Sequence, residues 1–170
     1  MKSRQNLELA NHRLAIHAPV ADVFDFLANH ENYALWYPNV ISIVSGNALP
    51  HGQVGKIYKE AIRLPTRRIQ PITIHVVESR RPSLFVTEGD FPPLHPRMEV
   101  HLSENTAGET LLDWRFYSRS QSAVGRWLIA RLLRGTLQRD SGIGLARMKA
   151  LVERQHPTHR SSPNKKPATA

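Results

Sequence analysis

Apolar positions change their period twice along the chain. Residues 7–16 alternate loosely and stop at Ala18-Pro19, where proline suits the first turn of a helix and ends a strand. Within 19–28, Val20, Val23, Phe24 and Leu27 recur at helical spacing and present one apolar face, so a short helix is predicted. A second short helix is predicted over 31–36, ending before Pro38 because the residue preceding a proline is pushed out of the helical region. Strand-like runs follow at 40–44, 55–63, 68–78, 84–88, 97–103 and 110–118, divided by turn chemistry such as Ser45-Gly46-Asn47, Pro50-His51-Gly52 and Leu64-Pro65-Thr66. Met98, Val100 and Leu102 alternate with Arg97, Glu99 and His101, and Leu112, Trp114 and Phe116 with Asp113, Arg115 and Tyr117. One buried and one wet face indicate antiparallel hairpins.

After residue 122 the period returns to that of a helix, over 123–153. Ile129, Leu133, Leu137, Asp140, Gly144, Met148 and Leu151 share one face of it. Asp140 and Gly144 do not fill a core, so this stripe predicts a cavity between helix and sheet. Gly142 and Gly144 each cost about 1 kcal/mol relative to alanine inside a helix, which calls for close approach of a ligand or of the sheet itself. Gly144 is expected to face the open space. The elements therefore predict an α+β domain: a curved antiparallel sheet of seven strands wrapped around a long C-terminal helix, with two short helices after the first strand.

Composition narrows the picture modestly. With 170 residues and 41% apolar content the chain fits one ligand-binding domain, 1–154, and a tail, 155–170, whose three prolines and polar residues predict disorder. The absence of cysteine excludes disulfides and thiolate chemistry. No stretch has the length of a signal peptide or membrane span, so a soluble, cytoplasmic protein is expected. The net charge of +9 gathers on the long helix, through Arg126, Arg131, Arg134, Arg139, Arg147 and Lys149, and in the tail, through Arg154, Arg160, Lys165 and Lys166. The plain reading is a solvated basic surface; as a functional reading it favours an anionic membrane surface. Nucleic acid ranks last, since only Trp127 interleaves with the arginines.

The order of motifs resembles the START-like superfamily, the helix-grip fold of polyketide cyclases and dehydrases and of lipid-transfer domains. The matching residues are Ala18-Pro-Val-Ala-Asp-Val-Phe-Asp-Phe-Leu27, Trp36-Tyr-Pro-Asn-Val40, Gly55, Glu78-Ser-Arg-Arg-Pro82, Gly108-Glu-Thr110 leading into Trp114, and Leu145-Ala-Arg-Met-Lys-Ala-Leu-Val-Glu153. They span residues 7–153. The resemblance implies a hydrophobic tunnel between sheet and long helix, with its entrance near Trp36 and Tyr37.

Candidate ligand-binding residues follow from strand parity and the helix stripe: Trp36, Tyr58, Glu60, Ile62, Met98, Val100, Trp114, Phe116, Leu133, Leu137, Asp140 and Gly144. Each aromatic and aliphatic residue among them has core packing as its alternative role. Glu60 falls on the inward face of its strand. Together with Asp140 it is a candidate general acid or base, because a carboxylate in an apolar cavity has a raised pKa. The alternative for both is an ion pair with Arg68, Arg97 or Arg115. The nine histidines include no pair at helical ligand spacing within an element, and phosphate-loop and dinucleotide motifs are absent, so no metal and no cofactor are assigned. A carrier of a small hydrophobic ligand (a lipid, quinone or polyketide-like ring compound) ranks ahead of a cyclase or dehydrase using a cavity carboxylate, and no catalytic residue is assigned.

Overall fold

Each strand pairs with its neighbour in sequence, except that the first returns to the last. The computed structural model describes residues 6–64 and 66–157, and its elements are β1 (Leu7–Ile16), α1 (Val20–Ala28), a 3-10 turn (His30–Asn32), α2 (Tyr33–Trp36), β2 (Val40–Ser45), β3 (Ile57–Arg63), β4 (Ile69–Arg80), β5 (Leu84–Asp90), β6 (Pro96–Glu104), β7 (Thr110–Ser118) and α3 (Ala123–Gln155). The sheet runs β1-β7-β6-β5-β4-β3-β2, antiparallel throughout. Bulges between Glu8 and Ala10, Val40 and Ser42, and Val76 and Glu78 add bend and twist, which curves the sheet around α3.

Elements follow the apolar pattern closely. The second short helix divides into the 3-10 turn and α2, the turn being held where the Asn29 side chain accepts from the Glu31 N–H at 3.2 Å. Gly55 lies just outside β3 at φ 87°, a left-handed conformation suited to glycine, and donates to the Val76 carbonyl at 2.9 Å. Ser122 caps α3 by accepting from the Gly125 N–H at 3.2 Å. Gln155 closes that helix, and the expected disordered tail lies from residue 158 onward outside the described residues.

Two apolar clusters hold α3. The larger joins Leu145, Met148 and Val152 to Trp36, Val100, Leu112 and Trp114, beneath its C-terminal half. The smaller joins Ile129 to Leu9 and Leu94. The two helical glycines serve close packing. A Cβ on Gly142 would sit 3.2 Å from the His12 ring of β1, so there the sheet itself approaches. A Cβ on Gly144 would sit 3.2 Å from the Trp36 ring, the Trp36 carbonyl and Pro38. Gly144 therefore faces α2 and not open space, which corrects the expectation from the stripe.

Candidate functional site

A cavity of about 210 Å³ lies between the concave sheet face, α2 and the middle of α3. Strands contribute Glu60, Ile62 and Arg63 from β3, Ile72 and Ile74 from β4, Thr87 and Gly89 from β5, Pro96 and Met98 from β6, and Phe116 from β7. Leu133, Thr136, Leu137 and Asp140 of α3 roof it. His30, Tyr33, Tyr37, Pro38 and Asn39 close one side, while Leu64 of the β3–β4 connection and Phe91 and Leu94 of the β5–β6 connection close another. The lining is mainly apolar, with a few polar groups set into it.

Glu60 is the most unusual of these groups. It pairs with Ile43 and Ile72 across neighbouring strands and is 8% exposed, and its carboxyl group makes no hydrogen bond or ion pair with any described residue. Burial without compensation raises its pKa from 4.5 to about 7. His30, 3% exposed, stacks on Tyr33 at 4.7 Å, and no described residue hydrogen-bonds to its ring. Burial lowers its pKa from 6.5 to about 4, so it stands neutral at physiological pH. Tyr33 and Tyr37 stack at 4.7 Å, and burial, reinforced by nearby acidic groups, raises the pKa of both phenols. At neutral pH they are hydroxyl donors.

Asp140 has partners, though not those expected. Its Oδ1 accepts from Arg139 Nε at 3.0 Å and its Oδ2 from Asn39 Nδ2 at 3.3 Å. Asn39, at φ 69°, turns the chain from α2 into β2, a conformation asparagine tolerates. Its carbonyl also accepts from the Arg63 N–H at 2.8 Å, so it ties α2, β3 and α3 together at the cavity wall. Arg97 and Arg115 are engaged elsewhere, with Glu88 and Glu99 and with Asp113, on the outer face of the sheet.

Seven of the twelve residues expected at the site line the cavity: Glu60, Ile62, Met98, Phe116, Leu133, Leu137 and Asp140. The other five lie outside the lining. Trp36 is sealed beneath Gly144, and Tyr58 donates from its hydroxyl to the Ala28 carbonyl at 3.2 Å and meets His51 Nδ1 at 2.9 Å. Val100 and Trp114 belong to the core under the C-terminal half of α3. His30 and Thr87 are lining residues that strand parity and the helix stripe do not single out. A signal for His30 is its place in the series Val23, Leu27, His30, which continues the apolar face of α1 at helical spacing. Among the described residues no group of three or more histidine or acidic side chains is gathered to hold a metal ion.

The sequence model of one family, described as polyketide cyclase / dehydrase and lipid transport, matches residues 11–153, nearly the whole described chain. The chain belongs to this family. As a member of the polyketide cyclase / dehydrase and lipid transport family, it shares its fold with structures of low sequence identity. The di-domain ARO/CYC StfQ of the steffimycin biosynthetic pathway superposes with a TM-score of 0.71 at 15% identity, over 92% of this chain and 54% of that one. The chain thus spans about half the length of StfQ. A START superfamily protein from Mycobacterium smegmatis gives 0.67 at 11% identity, over 87% and 99% of the two chains. The Zhui aromatase/cyclase from a Streptomyces species gives 0.64 at 17% identity, over 90% and 98%. No curated protein matches in sequence. These likenesses establish the helix-grip fold for this family member; its chemistry rests on its own cavity.

Proposed function

We propose that this protein binds a small hydrophobic ligand in the cavity between β3–β7 and α3, and exchanges it at an anionic surface. The carrying observation is an apolar lining around an open space with few, localised polar groups, the composition typical of small-molecule sites. A volume of about 210 Å³ is below the usual range of roughly 300–1,000 Å³, which favours a compact ring compound or one acyl segment over a whole two-chain lipid. Glu60, Tyr33 and Tyr37 supply orientation and the aliphatic walls supply affinity. Ile62→Trp tests this. Ile62 is only partly buried at the lining, so an indole there can extend into the space without displacing the deeper core. Titration with β-naphthol as the fluorescent probe is expected to show binding weakened by tenfold or more, about 1.4 kcal/mol. Unchanged affinity would remove the probe from this cavity.

A second reading, acid–base catalysis of the cyclase or dehydrase type, is favoured by one observation: Glu60 is unpartnered in the cavity with a pKa of about 7. A carboxyl group poised near neutrality can take a proton from the carbon beside a carbonyl and later return one to the product. Enhanced α-deuteration of β-tetralone by the native protein, lost at least tenfold in Glu60→Gln, is the expected result for an enzyme. Equal rates with and without protein would leave the carrier reading alone.

A further inference from the structure

The arginines of this protein fall into two groups. On the outer sheet face and beside α1 they are paired: Arg13 and Arg115 with Asp113, Arg97 with Glu88 and Glu99, Arg119 with Glu88, and Arg81 with Asp25. At the β3–β4 connection and on the first half of α3 several are not. Arg63, Arg67 and Arg68 are exposed at the β3–β4 connection, Arg131 and Arg134 are exposed on α3, and none of them forms an ion pair with any described residue. Arg63 itself lines the cavity, as does Leu64 beside it.

The first half of α3 carries exposed apolar groups. Val124, Trp127, Leu128 and Leu132 follow one another at helical spacing and are 74%, 65%, 46% and 63% exposed. They lie on the face of α3 opposite the stripe that holds Ile129, Leu133 and Leu137, and Arg131 falls among them. At the β3–β4 connection Ile69 is 59% exposed beside Arg67 and Arg68. No Asp or Glu occurs in α3 before Asp140. Tryptophan and leucine on one helix face, with arginines among and beside them, is the pattern of a helix that lies in a lipid interface. A purely electrostatic partner gives no use for the tryptophan, and a second copy of this face would set arginine against arginine.

We propose that the outer face of α3 from Val124 to Leu132, with Arg131 among its apolar groups, docks on an anionic phospholipid bilayer. This deepens the ligand-binding reading, which it rests on, by laying the helix that roofs the cavity along the membrane as the surface of exchange. Trp127 enters the headgroup and acyl boundary while the arginines meet lipid phosphates. Each arginine near such a surface contributes a several-fold factor in affinity.

The three tryptophans make the test direct, because Trp36 and Trp114 are 1% and 0% exposed and Trp127 alone stands in solvent. The full chain is mixed with phosphatidylcholine vesicles with and without phosphatidylglycerol, and with brominated versions of the same lipids. Cosedimentation with the phosphatidylglycerol vesicles only, with quenching by bromine, is the expected result. Arg131→Gln should weaken binding about fivefold, and Leu132→Ser at least as much. Trp127→Phe should keep binding and lose the quenching. Absence of sedimentation, or sedimentation without quenching, overturns the proposal. So does concentration-dependent self-association abolished by Leu132→Ser, or binding to duplex DNA in place of vesicles. Loss of β-naphthol uptake with intact vesicle binding would instead refute the cavity reading and leave the docking face standing.

Discussion

Glu60→Gln is expected to raise the unfolding free energy by about 3 kcal/mol at pH 8 and to leave it nearly unchanged at pH 4. The reasoning is linkage. In the unfolded chain Glu60 ionises above its ordinary value of 4.5, whereas in the fold it keeps its proton until about 7. Below the first value both states hold the proton and no penalty exists. Between the two, stability falls as pH rises, and above the second it levels off at a loss of about 1.4 kcal/mol for each pH unit between them. Glutamine fills the same space without charge and removes that loss. His30 acts in the opposite direction: its pKa falls from 6.5 to about 4, so its contribution is lost as pH drops through that window. In the native protein the two slopes oppose each other over their common range, and the variant should uncover the acid sensitivity of His30. Urea unfolding at a series of pH values measures this. An increment that is the same at pH 4 and pH 8 would refute the buried, unpaired carboxylate.

Substitutions at two glycines of α3 should move stability in opposite directions. A Cβ at Gly135 would meet nothing within 4 Å, so Gly135→Ala should gain up to about 1 kcal/mol from helix propensity. At Gly144 the Cβ would press on the Trp36 carbonyl and on Pro38 at 3.2 Å, and neither can rotate away. Gly144→Leu should therefore cost about 3 kcal/mol or more through overpacking and loosen α2. Thermal unfolding of both variants decides the matter. A stable Gly144→Leu protein would mean that α2 does not seat on α3 as described.

Much of this architecture is legible in the chain because one face of each element is wet. The alternation in β6 and β7 and the stripe of α3 state which side is buried without any knowledge of partners, and the inward position of Glu60 follows from the same parity. Residues that meet across long sequence distances are less legible. A small residue in a helix signals close approach, but whether ligand, strand or helix comes near depends on where residues about a hundred positions away arrive. Gly142 met β1 and Gly144 met α2 for reasons absent from local spacing. The same applies to Asp140, whose partners are its own neighbour Arg139 and the distant Asn39 and not the strand arginines. His30 is hidden by its type, since a histidine continuing an apolar face reads as its end. The apolar outer face of α3 is hidden by its arginines, which read first as solvated charge.

The uneven seating of α3 has a consequence for the size of guest this protein can hold. Up to Arg139 only Ile129 is buried, whereas Asp140, Ser141, Gly144, Leu145, Met148 and Val152 are all buried beyond it. The helix is a cantilever, clamped at its C-terminal end and supported near its free end by the small cluster with Leu9 and Leu94. Opening costs least where fewest apolar contacts break. The roof over the cavity is carried by the free arm, so a molecule larger than the space enclosed at rest would enter only by bending that arm outward.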